Sequence, residues 1–165
     1  MLPIELIIPE GFTGFTQDSE LVGTWVTEKA GGRYSKGATG IGLVKDGKMA
    51  AGIMYDGYTG RNGSILMFSR CDDPRATSKW FFWAIFDYPF NQLGVKRCNV
   101  LVHEKNTHAL ELNKKLGFVG DTVIKDYFPN GDAVLLAMYK QDCKWLRKSQ
   151  NDKTLATRTN TQMAA

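Results

Sequence analysis

The stretch CNVLVHEKNTHALELNKKLGF, Cys98 to Phe118, constrains this chain more than any other. Val100 and Val102 fall on one face and Leu101 and His103 on the other, so residues 99–103 form a short strand. Asn106 stops that strand and opens a helix, because its side-chain oxygen can accept a bond from the amide of His108 or Ala109. Ala109, Leu112 and Leu116 recur at helical spacing, which predicts one buried stripe. Lys114 and Lys115 fall in the last turn, where cations complement the helix dipole. Gly117 then leaves the helix through a left-handed residue, and Phe118 begins another strand.

The flanking segments supply a sheet around this unit. Residues 40–45 and 48–55 read as strands joined across Asp46-Gly47, a strong hairpin signal. Residues 64–70 are a third strand, after a turn at 60–63. Thr16 or Asp18 caps a helix running to about Lys29, with Leu21, Val22, Trp25 and Val26 on one side. The segment 4–8 is an edge strand or a docked terminus. Residues 31–42 are rich in Gly, Ser and Thr and read as a loop. Within it, Arg33 and Tyr34 either line a substrate entrance or belong to an exposed linker. Residues 72–77 form a turn in which Pro74 suits a first helical turn. Residues 78–88 are a helix that is apolar nearly all round and must be covered on most sides, and Pro89 ends it. A last hairpin pairs 118–128 with 132–140 across Pro129-Asn130-Gly131. The strand–helix–strand crossover over 64–103 implies one parallel strand pair flanked by antiparallel hairpins. The expected class is therefore α/β, a central mixed sheet with flanking helices.

Size and charge narrow the function classes. A chain of 165 residues reads as one domain, residues 1–148, followed by a polar and disordered tail at 149–165. The longest apolar run, Trp80 to Phe86, is far too short to span a bilayer. No basic region precedes the apolar residues of MLPIELIIPE, so no signal peptide is expected. Cys71, Cys98 and Cys143 are odd in number and lack a C-x-x-C spacing, which fits thiols in the cytoplasm and gives no metal site. Of the net charge of +4, three units sit from Gln141 onward, so the folded body lacks the basic face expected of a nucleic-acid binder.

The pattern Asn106-x-x-Ala109-x-x-Leu112-x-x-x-Leu116-Gly117-Phe118 resembles the final helix motif of the GNAT superfamily of acyl-CoA-dependent N-acetyltransferases. The resemblance spans roughly residues 39–140, and the order of elements around the motif is the one such enzymes use. It implies a GNAT-like mixed sheet and transfer of an acetyl group from acetyl-CoA, as co-substrate, to a primary amine on a small molecule or protein. It leaves a homodimer as an assembly to be tested. Certain bacteriophage internal virion proteins resemble degenerate members of the same superfamily. A catalytically inactive interaction protein, in the host cytoplasm or a virion, is therefore the alternative.

The resemblance also assigns residues. It places the pyrophosphate of the co-substrate at the start of the helix after the third strand, over Arg75, Ala76, Thr77, Ser78 and Lys79, where amides and the helix dipole favour an anion. The family's loop carries glycines and this one has none, while Asp72 and Asp73 are expected to repel phosphate. It gives the carbonyl and pantetheine contacts to the backbone of Leu66, Met67, Phe68 and Ser69, at a splay between parallel strands. Asn106 would touch the cofactor arm as well as cap its helix. Asn113 stands where the family often has a Tyr acid, and a carboxamide cannot serve as one. Tyr127 and Tyr139 are alternative acids. His103 is the first candidate for the base, since its ordinary pKa of about 6.5 suits proton removal near neutrality, and Glu104 is the second.

Overall fold

The computed structural model describes residues 11–30 and 32–146. The apolar segment at 4–8, the domain boundary at 148 and the tail at 149–165 lie outside the described residues. The elements in chain order are β1 (Gly14–Thr16), α1 (Ser19–Ala30), β2 (Thr39–Lys45), β3 (Lys48–Asp56), β4 (Ser64–Cys71), α2 (Lys79–Asp87), β5 (Arg97–His103), α3 (Thr107–Leu116), β6 (Val119–Phe128) and β7 (Gly131–Tyr139). They build a seven-stranded sheet in the order β1-β2-β3-β4-β5-β7-β6. Every neighbouring pair is antiparallel except β4 and β5, which run parallel with α2 as their crossover. This is the mixed α/β sheet that the order of hairpins and crossover implied.

Local chemistry explains most boundaries. Asp46 and Gly47 both take positive φ, 50° and 77°, as the two-residue turn between β2 and β3 requires. Asp18 opens α1 by accepting from the Leu21 amide at 3.0 Å. Ser78 does the same for α2 through Phe81 at 3.2 Å, and Asn106 for α3 through Ala109 at 3.1 Å. Gly117, at φ 115°, closes α3: its amide bonds to the Lys114 carbonyl and that of Phe118 to the Asn113 carbonyl, the paired bonds of a Schellman cap.

Three details differ from what the sequence suggested. Leu112 does not belong to the buried stripe of α3; it is 45% exposed, and the inward side is carried by Ala109, Leu110, Asn113 and Leu116. Ala109 and Leu116 keep their expected places, and Leu110 joins them instead of Leu112, a choice that only packing makes. The α-helix ends at Asp87, just before Pro89, but the helical path does not stop there. The chain continues through a π-helical turn at Tyr88–Gln92, with Pro89 in its first turn, where a missing amide costs little. Finally, β1 was not foreseen, since three residues carry no periodicity of their own; it forms by pairing Phe15 with Leu43 on the edge of β2.

The sheet has unequal covers. On one face α1 buries Val22, Trp25 and Val26 against Val44, Met49 and Met54. On the other, α2 sinks Phe81, Ala84, Ile85 and Phe86 into the main core. Its remaining aromatics are clamped at both sides. Trp80 meets Phe15 of β1 at 4.8 Å, and Phe82 meets Trp145 at 4.6 Å between ring centroids. Trp145 also donates its indole N–H to the Leu116 carbonyl at 2.8 Å, and Lys144 donates to the Lys115 carbonyl at 2.9 Å. The segment after β7 thus satisfies carbonyls that α3 leaves open at its C-terminus, and ties α3 to α2.

Leu112→Ala should change stability by less than about 0.5 kcal/mol, as an exposed substitution does, whereas Leu116→Ala should cost about 2 kcal/mol. Urea unfolding of the two variants checks this; equal losses would put Leu112 back into the core.

Candidate functional site

The geometry of interest begins where the parallel pair ends. β4 and β5 hold register at Ser64 with Arg97, Ile65 with Cys98 and Leu66 with Asn99, and no further. Beyond that point β4 stays bonded to β3 as far as Cys71, and β5 stays bonded to β7 as far as His103. The two strands therefore open like a V, and backbone groups of β4 after Leu66 that would bond a parallel neighbour face the gap.

Each arm of the V is pulled outward. At the exit of β4, the amides of Asp72 and Asp73 both bond to the Ala50 carbonyl of β3, at 2.8 and 3.1 Å. Arg70 donates to the Trp25 carbonyl at 2.8 Å and to Glu28 at 3.2 Å, and its guanidinium lies 4.1 Å over the Trp25 ring. At the exit of β5, the Glu104 amide bonds to the Asp132 carbonyl at 3.0 Å, next to β7.

Of the residues assigned from sequence, Leu66 is the last paired position and Met67, Phe68 and Ser69 line the β4 arm. Met67 is buried, Phe68 packs toward the α1 cluster and Ser69 is exposed. Arg75, Ala76, Thr77, Ser78 and Lys79 follow at the top of the same arm, as a 3₁₀ turn (Pro74–Ala76) and the start of α2. Arg75 and Lys79 are both exposed. The Thr77 hydroxyl donates to the Pro74 carbonyl at 2.6 Å, so its proton is already used. The Ser78 oxygen accepts from Phe81 and keeps its own proton for another acceptor. Asn106 and Asn113 sit on α3 beyond the end of the β5 arm; Asn113 folds back to donate to the Ala109 carbonyl at 2.9 Å.

The expected repulsion by Asp72 and Asp73 is largely cancelled. Asp72 pairs with Arg70 at 2.6 Å and Lys29 at 3.7 Å, and Asp73 pairs with Lys45 at 3.8 Å while capping the Pro74–Ala76 turn through the Arg75 amide. Hydrogen bonding from Arg70, with Lys29 nearby, holds the Asp72 carboxyl below its usual range. Sequence reasoning left Arg70 without a role. Besides its neighbour Asp72, its partners Trp25 and Glu28 lie more than forty positions away on α1, and nothing local announces them.

His103 and Glu104 turn away from the gap, toward the β6–β7 turn. A Cβ on Gly131 would lie 2.8 Å from the His103 ring and 2.9 Å from the Glu104 carboxylate. His103 Nδ1 accepts from the Lys105 amide at 3.1 Å, Nε2 meets Asn130 Oδ1 at 3.1 Å, and the ring stacks on Phe128 at 5.2 Å. An accepting Nδ1 carries no proton, so Nε2 is the protonated nitrogen and donates to Asn130. The ring's only basic nitrogen is occupied by a backbone amide. Tyr127 and Tyr139 are both partly exposed, and the Tyr139 hydroxyl accepts from Arg97 at 3.2 Å. Asn99, which sequence reasoning passed over, lies at the apex of the V and is held by Arg97 Nε at 2.5 Å. A polar residue next to the Cys98, Val100, Val102 core face was the available signal.

Cys71, Cys98 and Cys143 form no disulfide, and burial pushes the Cys98 thiol far up. Among the described residues no three His, Cys, Asp or Glu side chains converge on a common point. No helix among them is long and apolar enough to cross a membrane.

Solved acetyltransferases share this fold. The ribosomal-protein-S5-alanine acetyltransferase from Vibrio fischeri matches with a TM-score of 0.55 at 16% identity, over 76% of this chain and 71% of that one. A GCN5-related N-acetyltransferase from Brucella melitensis matches at 0.54 and 17% identity, over 63% of this chain and 52% of the other. A spermidine N-acetyltransferase SpeG chimera from Vibrio cholerae and hSSAT matches at 0.53 and 16%, over 78% and 77%. Two further acetyltransferase structures are covered over 62% and 60% of their length, so the chain spans about three fifths of them. No family model matches the sequence, and none of the curated proteins does. The fold is that of the GCN5-related N-acetyltransferases.

Two measurements test this geometry. Nitrogen chemical shifts of His103 should show the Nε2–H tautomer; a proton on Nδ1 would break the assignment. Asp72→Asn should lower stability at pH 7 by up to about 1 kcal/mol, the scale of a partly exposed ion pair. Asp72 has a depressed native pKa, so its contribution is present above the unfolded value of about 3.9 and is lost as pH falls through the native one. The gap between wild type and variant should therefore close in acid; a constant gap would mean the pair contributes nothing.

Proposed function

We propose that the chain is an N-acetyltransferase that takes acetyl-CoA into the opening between β4 and β5 and delivers the acetyl group to a primary amine. The observation that carries this is the loss of β4–β5 pairing after Leu66 and Asn99. An open strand edge inside a sheet needs hydrogen-bond partners, and an extended amide-bearing arm supplies them as a missing strand would.

The residues around the gap suit that ligand. Arg75 and Lys79 present two cations at the start of α2, and the Ser78 hydroxyl retains a donor, beside a helix end that favours a pyrophosphate. With Asp72 and Asp73 neutralised, the glycine-free loop keeps an electropositive face. Asn106 stands at the start of α3 beyond the other arm, its oxygen used by Ala109 and its amide hydrogens able to donate. Bound acetyl-CoA would supply an activated thioester; the chain's own residues bind it and orient its carbonyl toward the β4 backbone.

His103 and Glu104 both face the β6–β7 turn and each accepts from a backbone amide, His103 from Lys105 and Glu104 from Asp132 at 3.3 Å, so a substrate amine that is already neutral suits the site best. An α-amine, with a pKa near 8, is already partly neutral at pH 7 and needs least help. Asn113 cannot donate a proton to the departing thiolate, so solvent or a tyrosine such as Tyr127 must. The same two features support a second reading, a domain with this fold that turns over slowly or not at all and serves as an interaction protein, including a virion-associated one.

Thermal unfolding with acetyl-CoA separates the readings. The melting temperature should rise with the ligand, because a ligand of the native state stabilises it, and Arg75→Ala with Lys79→Ala should remove most of the rise. An unchanged melting temperature at millimolar acetyl-CoA would favour the interaction protein, as would a rise without thiol release in the presence of polyamines or an N-terminal peptide.

A further inference from the structure

The opposite end of the parallel pair holds a cavity that the acetyl-transfer reading does not use. It has a volume of about 700 Å³, in the range of small-molecule sites. Three loops stitched together by backbone bonds form it. Asn62 donates to the Gly94 carbonyl at 2.9 Å, Lys96 donates to the Gly63 carbonyl at 2.9 Å, and Lys140 donates to the Lys96 carbonyl at 3.1 Å. These bonds bring together the chain before β4, the chain before β5 and the chain after β7.

The walls have two characters. Phe90, Val95 and Cys143 are almost fully buried and form an apolar floor. Arg61, Lys96 and Lys140 stand exposed around it, and none has an ion-pair partner among the described residues. The Asn91 and Gln141 amides line the cavity as well. The Arg61 guanidinium lies against Gly94, where an added Cβ would come within 3.3 Å of it; Gly94, at φ 73°, suits both the turn and that approach. Asp87, on the neighbouring α2, is taken up by the side chains of Asn91 and Gln92 at 2.7 and 3.0 Å.

Three cations around one concavity whose lining residues include no acid repel one another, with Asp142 in the turn after β7 the nearest carboxylate in sequence, and a cleft focuses their field. A phosphoryl group answers that arrangement. It brings nearly two negative charges and three acceptor oxygens, and Arg61 offers a planar fork of donors for it. The floor has room for an apolar body. We propose that this cavity binds a small phosphorylated molecule, its phosphoryl group held by Arg61, Lys96 and Lys140. Concave walls favour a small ligand over a nucleic-acid backbone, which tracks a groove or a stripe. The proposal is independent of acetyl transfer, whose binding residues lie at the other ends of β4 and β5.

The test is a titration of the full chain with sodium pyrophosphate at fixed ionic strength, followed by backbone amide resonances. The amides of Gly94, Lys96 and Gln141 should shift and saturate. Lys96→Gln with Lys140→Gln, both at exposed side chains, should weaken that binding by about tenfold or more. Shifts confined to Ser78–Phe81 would overturn the proposal, because they would place the anion at the start of α2. Absent or unsaturable shifts, or affinity unchanged in the double variant, would overturn it too. So would a duplex DNA that moves these amides when pyrophosphate does not.

Discussion

The parting of β4 and β5 depends on where each strand is anchored at its C-terminal end. A parallel pair left alone continues its ladder, since every unpaired backbone group carries a cost. Here the exit of β4 is bonded over β3 by two amides on one carbonyl, and Arg70 holds it against α1. The exit of β5 is bonded toward β7. Neither anchor lies on the line between the two strands, so the ladder stops at Leu66 and Asn99 while both outer ladders continue. The opening is thus made by the neighbours of the two strands and not by an irregularity within them.

The same Arg70 links architecture to electrostatics. By pairing with Asp72 and Glu28 it fixes the strand and at the same time neutralises an acid beside the start of α2. Lys45 plays the corresponding part for Asp73 from the β2–β3 hairpin. A loop that looks hostile to phosphate in one dimension becomes neutral to positive in three, because its acids are spent on the scaffold and its outward cations, Arg75 and Lys79, are not.

At the far side, the segment after β7 closes the molecule. Trp145 fills the flank of α2 and satisfies the end of α3 in one stroke, which gives the short α3, without a single fully buried side chain, a fixed position. Asn106 and Asn113 depend on that position for any role near the gap. His103, the candidate base of the sequence, lies at the end of β5 with its ring beside Gly131, whose lack of a side chain leaves room for it.

Much of the fold was legible in one dimension. Asp46-Gly47, Asp18, Ser78, Asn106 and Gly117 mark turns and helix ends through bonds to residues at most a few positions away, and such local chemistry needs no tertiary context. One parallel pair flanked by antiparallel hairpins followed from the hairpin and crossover signals, while the place of β7 between β5 and β6 did not. What the sequence alone could not decide is every contact made across long separations: which of Leu110 and Leu112 faces inward, whether the helical path stops at Pro89, how far the parallel ladder runs, and whom His103, Asp72 and Arg70 bond. Apart from the two-residue contacts of Arg70 with Asp72 and of His103 with Lys105, those outcomes rest on partners distant in the chain, and only the packed sheet brings them within reach.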